Sequence, residues 1–310
     1  MKVALCRRRA PKGALRSALA LIAAALTVAA GAAAQGAEVP WSFFALEAAR
    51  LGSTATVAVA LEALPAAAET PKFIDSARGR PLQAWGAEVQ KLSVTTTVDI
   101  LGGRRVRFEN HLWLDPLTGT PLYLIRTRFG LQDYCQRFRF TREGVFRQQR
   151  EPATGKEAEK PPDSWTRIGQ NFYPYPPDRQ GCPPVIETSM LISRVGAMSP
   201  ATWDANESLC VFHKRQVHQV SVRREPVQTL SFDYLEKKDG REARRTGSAA
   251  APAVSISSVP IGSYRGEVEE FFRDGSRLYL SPEDHAPLMV SGELPVIGRV
   301  EMRLREIHLK

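Results

Sequence analysis

Apolar and polar positions alternate with period two through most of this chain, which predicts antiparallel strands with one face in a core. Leu92, Val94, Thr96, Val98 and Ile100 share one face; Lys91, Ser93, Thr95, Thr97 and Asp99 share the other. After Gly102-Gly103, a hairpin signal, Val106, Phe108, Leu112 and Leu114 alternate with Arg105, Arg107, Glu109 and His111. Asp115-Pro116-Leu117-Thr118-Gly119 reads as a turn into a strand over Leu122–Phe129. Tyr134, Phe138 and Phe140 then alternate with Arg137 and Arg139, and Arg142-Glu143-Gly144 turns the chain into Val145–Arg147.

A polar, Pro-rich break follows over residues 151–184, expected to be a long loop crossing one sheet or a linker. Ile186 to Val195, ended by Gly196, is the one stretch that predicts a short helix. Strands resume at Leu209–Val222, Thr229–Leu235, Gly266–Arg273, Leu278–Leu280, Leu288–Gly292 and Arg299–Ile307. Lys237 to Val254, Lys/Arg-rich and then Ala-rich, is expected to be a flexible excursion. The breaks interrupt the pattern without ending it. The expectation is therefore a single all-β, mainly antiparallel domain over residues 35–310, with long loops near 151–184 and 237–254. Its meander has little helix to cover it, so it should curl into a half-barrel or barrel.

The first 34 residues change the reading of compartment and charge. Lys2, Arg7, Arg8, Arg9, Lys12 and Arg16 precede an apolar run, Ala18 to Ala30, and a small-residue site, Ala32-Ala33-Ala34. These are the parts of a cleaved signal peptide, 1–34, which points to a periplasmic, exported product that is not membrane-spanning. Without that basic leader the formal net charge falls from +9 to +3, too mild for a nucleic-acid footprint. Three cysteines remain, Cys135, Cys182 and Cys210, and an oxidising compartment permits one bridge. Cys135–Cys182 is the expected disulfide, because Cys182 lies in a Pro-rich loop that a staple tethers, whereas Cys210 opens a strand and is expected to be free.

Candidate chemistry adds little. His213 and His218, the nearest pair of histidines, are five apart, which on one continuous strand puts them on opposite faces and denies them a shared metal. His111, His285 and His308 are similarly isolated, and all five are expected to be solvated strand residues. No metal, cofactor or catalytic motif is read from the sequence. The run Arg137, Arg139, Arg142, Arg147 and Arg150 suits an anionic partner such as a phosphate or lipid headgroup, or equally the solvated outer face of a sheet. The apolar faces point to a cavity. Its candidate lining is Leu92, Val94, Val98 and Ile100 from one strand, with Phe108, Leu112, Phe138, Phe140, Phe232 and Tyr234 from others.

Asp115–Pro152 (DPLTGTPLYLIRTRFGLQDYCQRFRFTREGVFRQQREP), the Ser189–Arg194 segment and the C-terminal stretch LYLSPEDHAPLMVSGELPVIGRVEMRLREI resemble an exported proteobacterial family, domain-of-unknown-function family 3108. Leu278–Leu280, Glu283-Asp284, Pro287–Val290 and Gly298 match its closing order of strand, Asp-centred turn, apolar strand and glycine. The resemblance implies a sheet wrapped around a helix, similar to periplasmic lipoprotein-carrier half-barrels, and assigns no catalytic residue. The leading expectation is a non-catalytic binding protein for a lipid, lipoprotein or other amphiphile. The alternatives are a cell-envelope assembly factor that binds another protein, and an envelope hydrolase.

Overall fold

Tight turns join neighbours in sequence into neighbours in space, and repetition of that step builds one large sheet. The computed structural model describes residues 39–50, 52–177, 185–198, 203, 208–262, 276–294 and 298–310. The first group of strands is β1 (Trp41–Arg50), β2 (Ser53–Pro65), β3 (Glu88–Ile100), β4 (Arg104–Leu114), β5 (Pro121–Phe129), β6 (Tyr134–Phe140), β7 (Gly144–Glu151) and β8 (Arg167–Pro174). The second is β9 (Val185–Glu187), β10 (Ser208–His213), β11 (Gln216–Lys238), β12 (Arg241–Pro260), β13 (Ser276–Leu280), β14 (Pro287–Leu294) and β15 (Gly298–Leu309). Their order is β8-β7-β6-β5-β4-β3-β2-β1-β15-β14-β13-β12-β11-β10-β9, a meander in two halves joined where β1 pairs with β15. Among the described strands only β9–β10 and β11–β15 run parallel. The chain is an antiparallel all-β domain.

The two halves meet through side chains as well. Phe212 of β10 packs edge-on against Phe138 and Phe140 of β6, with ring centroids 6.2 Å apart in each case. Within the space so enclosed lies a short helix, α1 (Leu191–Ala197), whose Leu191 and Val195 are buried in the main core. A smaller apolar cluster covers part of the outer face, where Trp113 and Tyr123 pack with Phe73 from the β2–β3 connection.

Three expectations need correction. Residues 237–254 are not a flexible excursion: β12 pairs with β11 along nearly its whole length, through the two-residue turn Asp239-Gly240. Both turn residues have positive φ, 50° and 72°, as a type I′ hairpin requires. The segment reads as loop because residues 241–248 of β12 are exposed on both faces, so this stretch carries no apolar stripe. A bulge at Pro226-Val227, where a missing N–H is tolerated, separates the arm from the body. Second, the 151–184 break contains β8, paired with β7. Third, the expected helix Ile186–Val195 splits into β9, a 3-10 turn and α1. In β1 the Phe-Ala-Leu-Glu-Ala-Ala run is rich in helix formers, yet pairing on both sides overrides propensity and makes it a strand. The strand expected at Gly266–Arg273 lies outside the described residues.

Candidate functional site

The inner face of the first half carries two cross-strand rows in register. One runs Val59, Val94, Asn110, Arg126, Gln136, Gln149 from β2 to β7. The other runs Leu92, Leu112, Leu124, Phe138, Arg147, Asn171 from β3 to β8. Residues directly opposite on one face are neighbours, so each row changes from apolar to polar as it crosses the sheet.

At the apolar end an internal cavity of about 240 Å³ separates the sheet from α1. Trp41, Val59, Leu92 and Val94 form one wall, Leu191 and Ile192 the helix side, and Ile256 and Leu278 the opposite half of the sheet. Asn110 is the polar residue of the inner rows that reaches it. The volume lies just under the ~300–1,000 Å³ of ordinary ligand pockets. The helix is held over it by Arg194, whose Nη2 donates to the Gly119 carbonyl at 3.3 Å from a mostly buried position. Gly119, at φ 61°, leaves no room for a Cβ beneath that guanidinium.

Beyond Asn110 the wall becomes charged. Arg126 Nε donates to Asn110 Oδ1 at 3.3 Å, and its Nη2 donates to Glu187 Oε1 at 2.9 Å. Glu187 is fully buried, and its Oε2 accepts from the Ser189 N–H at 2.7 Å. The Arg126 guanidinium lies over the Phe138 ring, 5.5 Å from its centroid. Next to it, Thr188 Oγ1 and His213 Nδ1 are 3.0 Å apart. Burial, assisted by Arg126 and Lys214, pushes His213 down to about 2. A neutral imidazole that weak as a base does not take a proton from a hydroxyl near pH 7, so the Thr188–His213 contact is no nucleophile–base pair.

The histidine expectation also changes. His213 ends β10 and His218 lies on β11 across a hairpin, so the rings face each other with centroids 6.1 Å apart. The assumption of one continuous strand was the error, because the turn at Lys214-Arg215 reverses the chain. His218 is buried and His111 half-buried, and burial lowers the pKa of both. Among the described residues no three metal-ligating side chains cluster.

Of the candidate cavity residues, Leu92 and Val94 line the cavity. Val98, Leu112, Phe138 and Phe140 are buried elsewhere in the same core, and Ile100, Phe108 and Tyr234 pack on it half-buried. Phe232 departs from the group. It sits on the β11–β12 arm, directly opposite Gly247, with Tyr234 as its aromatic neighbour at 5.6 Å. The cysteines depart as well. Cys135 is a free, buried thiol whose pKa is raised by that burial, and Cys210 is the disulfide-bonded cysteine, so the expected Cys135–Cys182 bridge is overturned. Cys135 lies within the sheet between Thr127 and Arg150 on the neighbouring strands, where it is already packed. Cys182 lies outside the described residues. The arginine run divides between faces: Arg139 is buried, its Nη1 bonded to the Leu122 carbonyl at 2.8 Å, and Arg147 stands on the inner row.

No family model and no curated protein matches the chain. One solved structure is similar, a β-barrel-like protein of domain of unknown function DUF1849 from Brucella abortus, with TM-score 0.45 and 8% identity over 86% of this chain and 96% of that one. The likeness is too distant to assign a family. What the strand order shows directly is a β-barrel-like domain. No helix among the described residues is long and apolar enough to cross a membrane.

Proposed function

We propose that this chain is a periplasmic, non-catalytic binding protein that takes the acyl chain of a lipid, lipoprotein or other amphiphile into the cavity beneath α1. The observation that carries the reading is the cavity itself: a space lined mainly by apolar side chains from both halves of the sheet and from a helix, with Asn110, Arg277 and several hydroxyl side chains among them. Buried apolar space of this size is costly when empty and stabilising when filled by apolar atoms. The signal-like leader 1–34, the single domain over 35–310 and the resemblance to domain-of-unknown-function family 3108 support the same reading. Native mass spectrometry of the protein purified from its own envelope tests it. A co-purifying acyl mass is expected; a protein partner instead would favour the assembly-factor reading. Failure to take up a fluorescent fatty acid or lipopeptide at micromolar concentration, with the fold intact, refutes it.

A further inference from the structure

The inner rows do more than bound a cavity; they set up a gradient of polarity. Along each, aliphatic side chains give way to amides and guanidinium groups within three or four strands. The two inner arginines differ in kind. Arg126 is neutralised by Glu187. Arg147, opposite Phe138, makes no ion pair among the described residues, and its buried Nε has no hydrogen-bond partner. Its guanidinium lies over Tyr173, 5.4 Å from the ring centroid, which holds the group in place without neutralising it. Beside it on the inner face, Gln136 Nε2 donates to Gln149 Oε1 at 2.8 Å. A half-buried cation with no ion pair among the described residues is disfavoured; burial, with Arg215 and Arg126, lowers the pKa of Arg147 against opposing contributions from Tyr173 and from Glu151, whose carboxylate accepts from Gln149 Nε2. An anion at this position relieves that cost and satisfies the orphaned donor.

We propose that Arg147, flanked by Gln136 and Gln149, is a headgroup site for an anionic, oxygen-rich group, and that the ligand is a single-chain amphiphile whose tail enters the cavity while its carboxylate or phosphate meets Arg147. This rests on the amphiphile reading above and adds the class of headgroup. Side chains in contact link the cavity to Arg147 on the inner face: Asn110 at the cavity wall bonds Arg126, Arg126 lies on the buried Phe138, and Phe138 is the cross-strand partner of Arg147, so a ligand that spans the two displaces the packing of Phe212 on Phe138. Arginine suits the role, because its planar fork bonds carboxylate and phosphate oxygens in pairs.

Titration calorimetry of the full chain with decanoate, decyl phosphate and decanol, at fixed ionic strength, tests the assignment and separates it from the reading beneath it. The anionic ligands should bind about tenfold or more tightly than decanol, as expected for a charged hydrogen bond to a desolvated group. Carboxylate and phosphate arms compared with each other identify the preferred head. Arg147→Gln should bring both anions down to the affinity of decanol and leave decanol unchanged; Arg147→Lys, with the charge but not the fork, should fall between. A melting curve run on each variant separates loss of the site from loss of the fold, and no ion pair is broken by either change. If decanol binds and Arg147→Gln leaves the anions as tight as before, the headgroup site is overturned while the cavity reading stands. If none of the three binds to the folded protein, both fall.

Discussion

The Arg126–Glu187 pair joins β5 to β9, strands far apart in the order of the sheet, and its removal should show how the two halves are held together. The carboxylate is fully buried, the arginine side chain is 16% exposed, and the N···O distance is 2.9 Å. At an effective dielectric near 20 that separation gives a gross attraction of about 6 kcal/mol. Desolvation costs several kcal/mol per ion, so the intact pair contributes little net stability. Breaking it is another matter. Arg126→Met leaves Glu187 charged and buried with only the Ser189 N–H on it, a loss of about 3–5 kcal/mol. For a domain of this size that lowers Tm by roughly 10 °C. Arg126→Met combined with Glu187→Gln removes the stranded charge and should recover most of the loss, a coupling of about 2 kcal/mol or more. Urea unfolding followed by circular dichroism measures Arg126→Met, Glu187→Gln and the double variant, with m compared to check that the unfolded state is unchanged. Additive losses in the double variant would refute the reasoning, for they would mean that Arg126 stabilises by packing on Phe138 and not by neutralising Glu187.

Acid should destabilise the protein before carboxylates titrate. His213 has a folded pKa near 2 against an unfolded value near 6.5, so the unfolded state binds the extra proton; stability is full above about pH 6.5 and falls as pH drops toward 2. The loss from this group alone is about 2 kcal/mol at pH 5, and His213→Gln should flatten the dependence of Tm between pH 7 and 5; an unchanged slope sinks the assignment. Val94→Phe should fill the cavity, raise stability by about 1 kcal/mol and abolish acyl binding, and a stabilised variant that still binds would place the ligand elsewhere. Gly119→Ala should displace Arg194 and strain the backbone at φ 61°, lowering stability by about 1–2 kcal/mol, readable as a shifted urea midpoint; a midpoint equal to wild type would show that Arg194 holds nothing. Cys135 should resist a thiol reagent at pH 8 in the folded chain and react once denatured; a fast native reaction contradicts its burial.

The strands legible in the sequence are those with one wet face and one dry face. β3 and β4 announce themselves because Leu92 and Val98, Leu112 and Val106 alternate with charged or hydroxyl residues. Thr229–Leu235 of β11 was legible as a strand, but the β12 side of the arm, expected as an excursion over 237–254, was missed for the opposite reason. With both faces near water its composition resembles a linker, and the informative signal was the dipeptide Asp239-Gly240, a type I′ hairpin turn. The inner row was half legible. Alternation placed Phe138 and Phe140 correctly, but Arg147 carries the same polar label as Arg137 and only the register of β6 against β7 puts it opposite Phe138. The Arg126–Glu187 contact was not legible at all, since it joins β5 to β9 from opposite halves of the strand order, and the Thr188–His213 contact depends on the parallel pairing of β9 with β10, which alternation does not reveal.

The position of β15 in the strand order bears on how the chain acquires its structure. The last strand is not an edge: β1 flanks it on one side and β14 on the other, and β11 adds a short parallel contact at Leu235–Lys237. Phe44 therefore meets Ile307 only after every strand between them has been made. Loop closure over such a separation must precede the rewards of packing, so high contact order predicts slow folding, on the scale of milliseconds to seconds or longer. Until then the two hairpin arrays present unjoined strands to solvent. A chain still on the ribosome cannot complete its core, and until its last strand arrives its unjoined strands are exposed to aggregation.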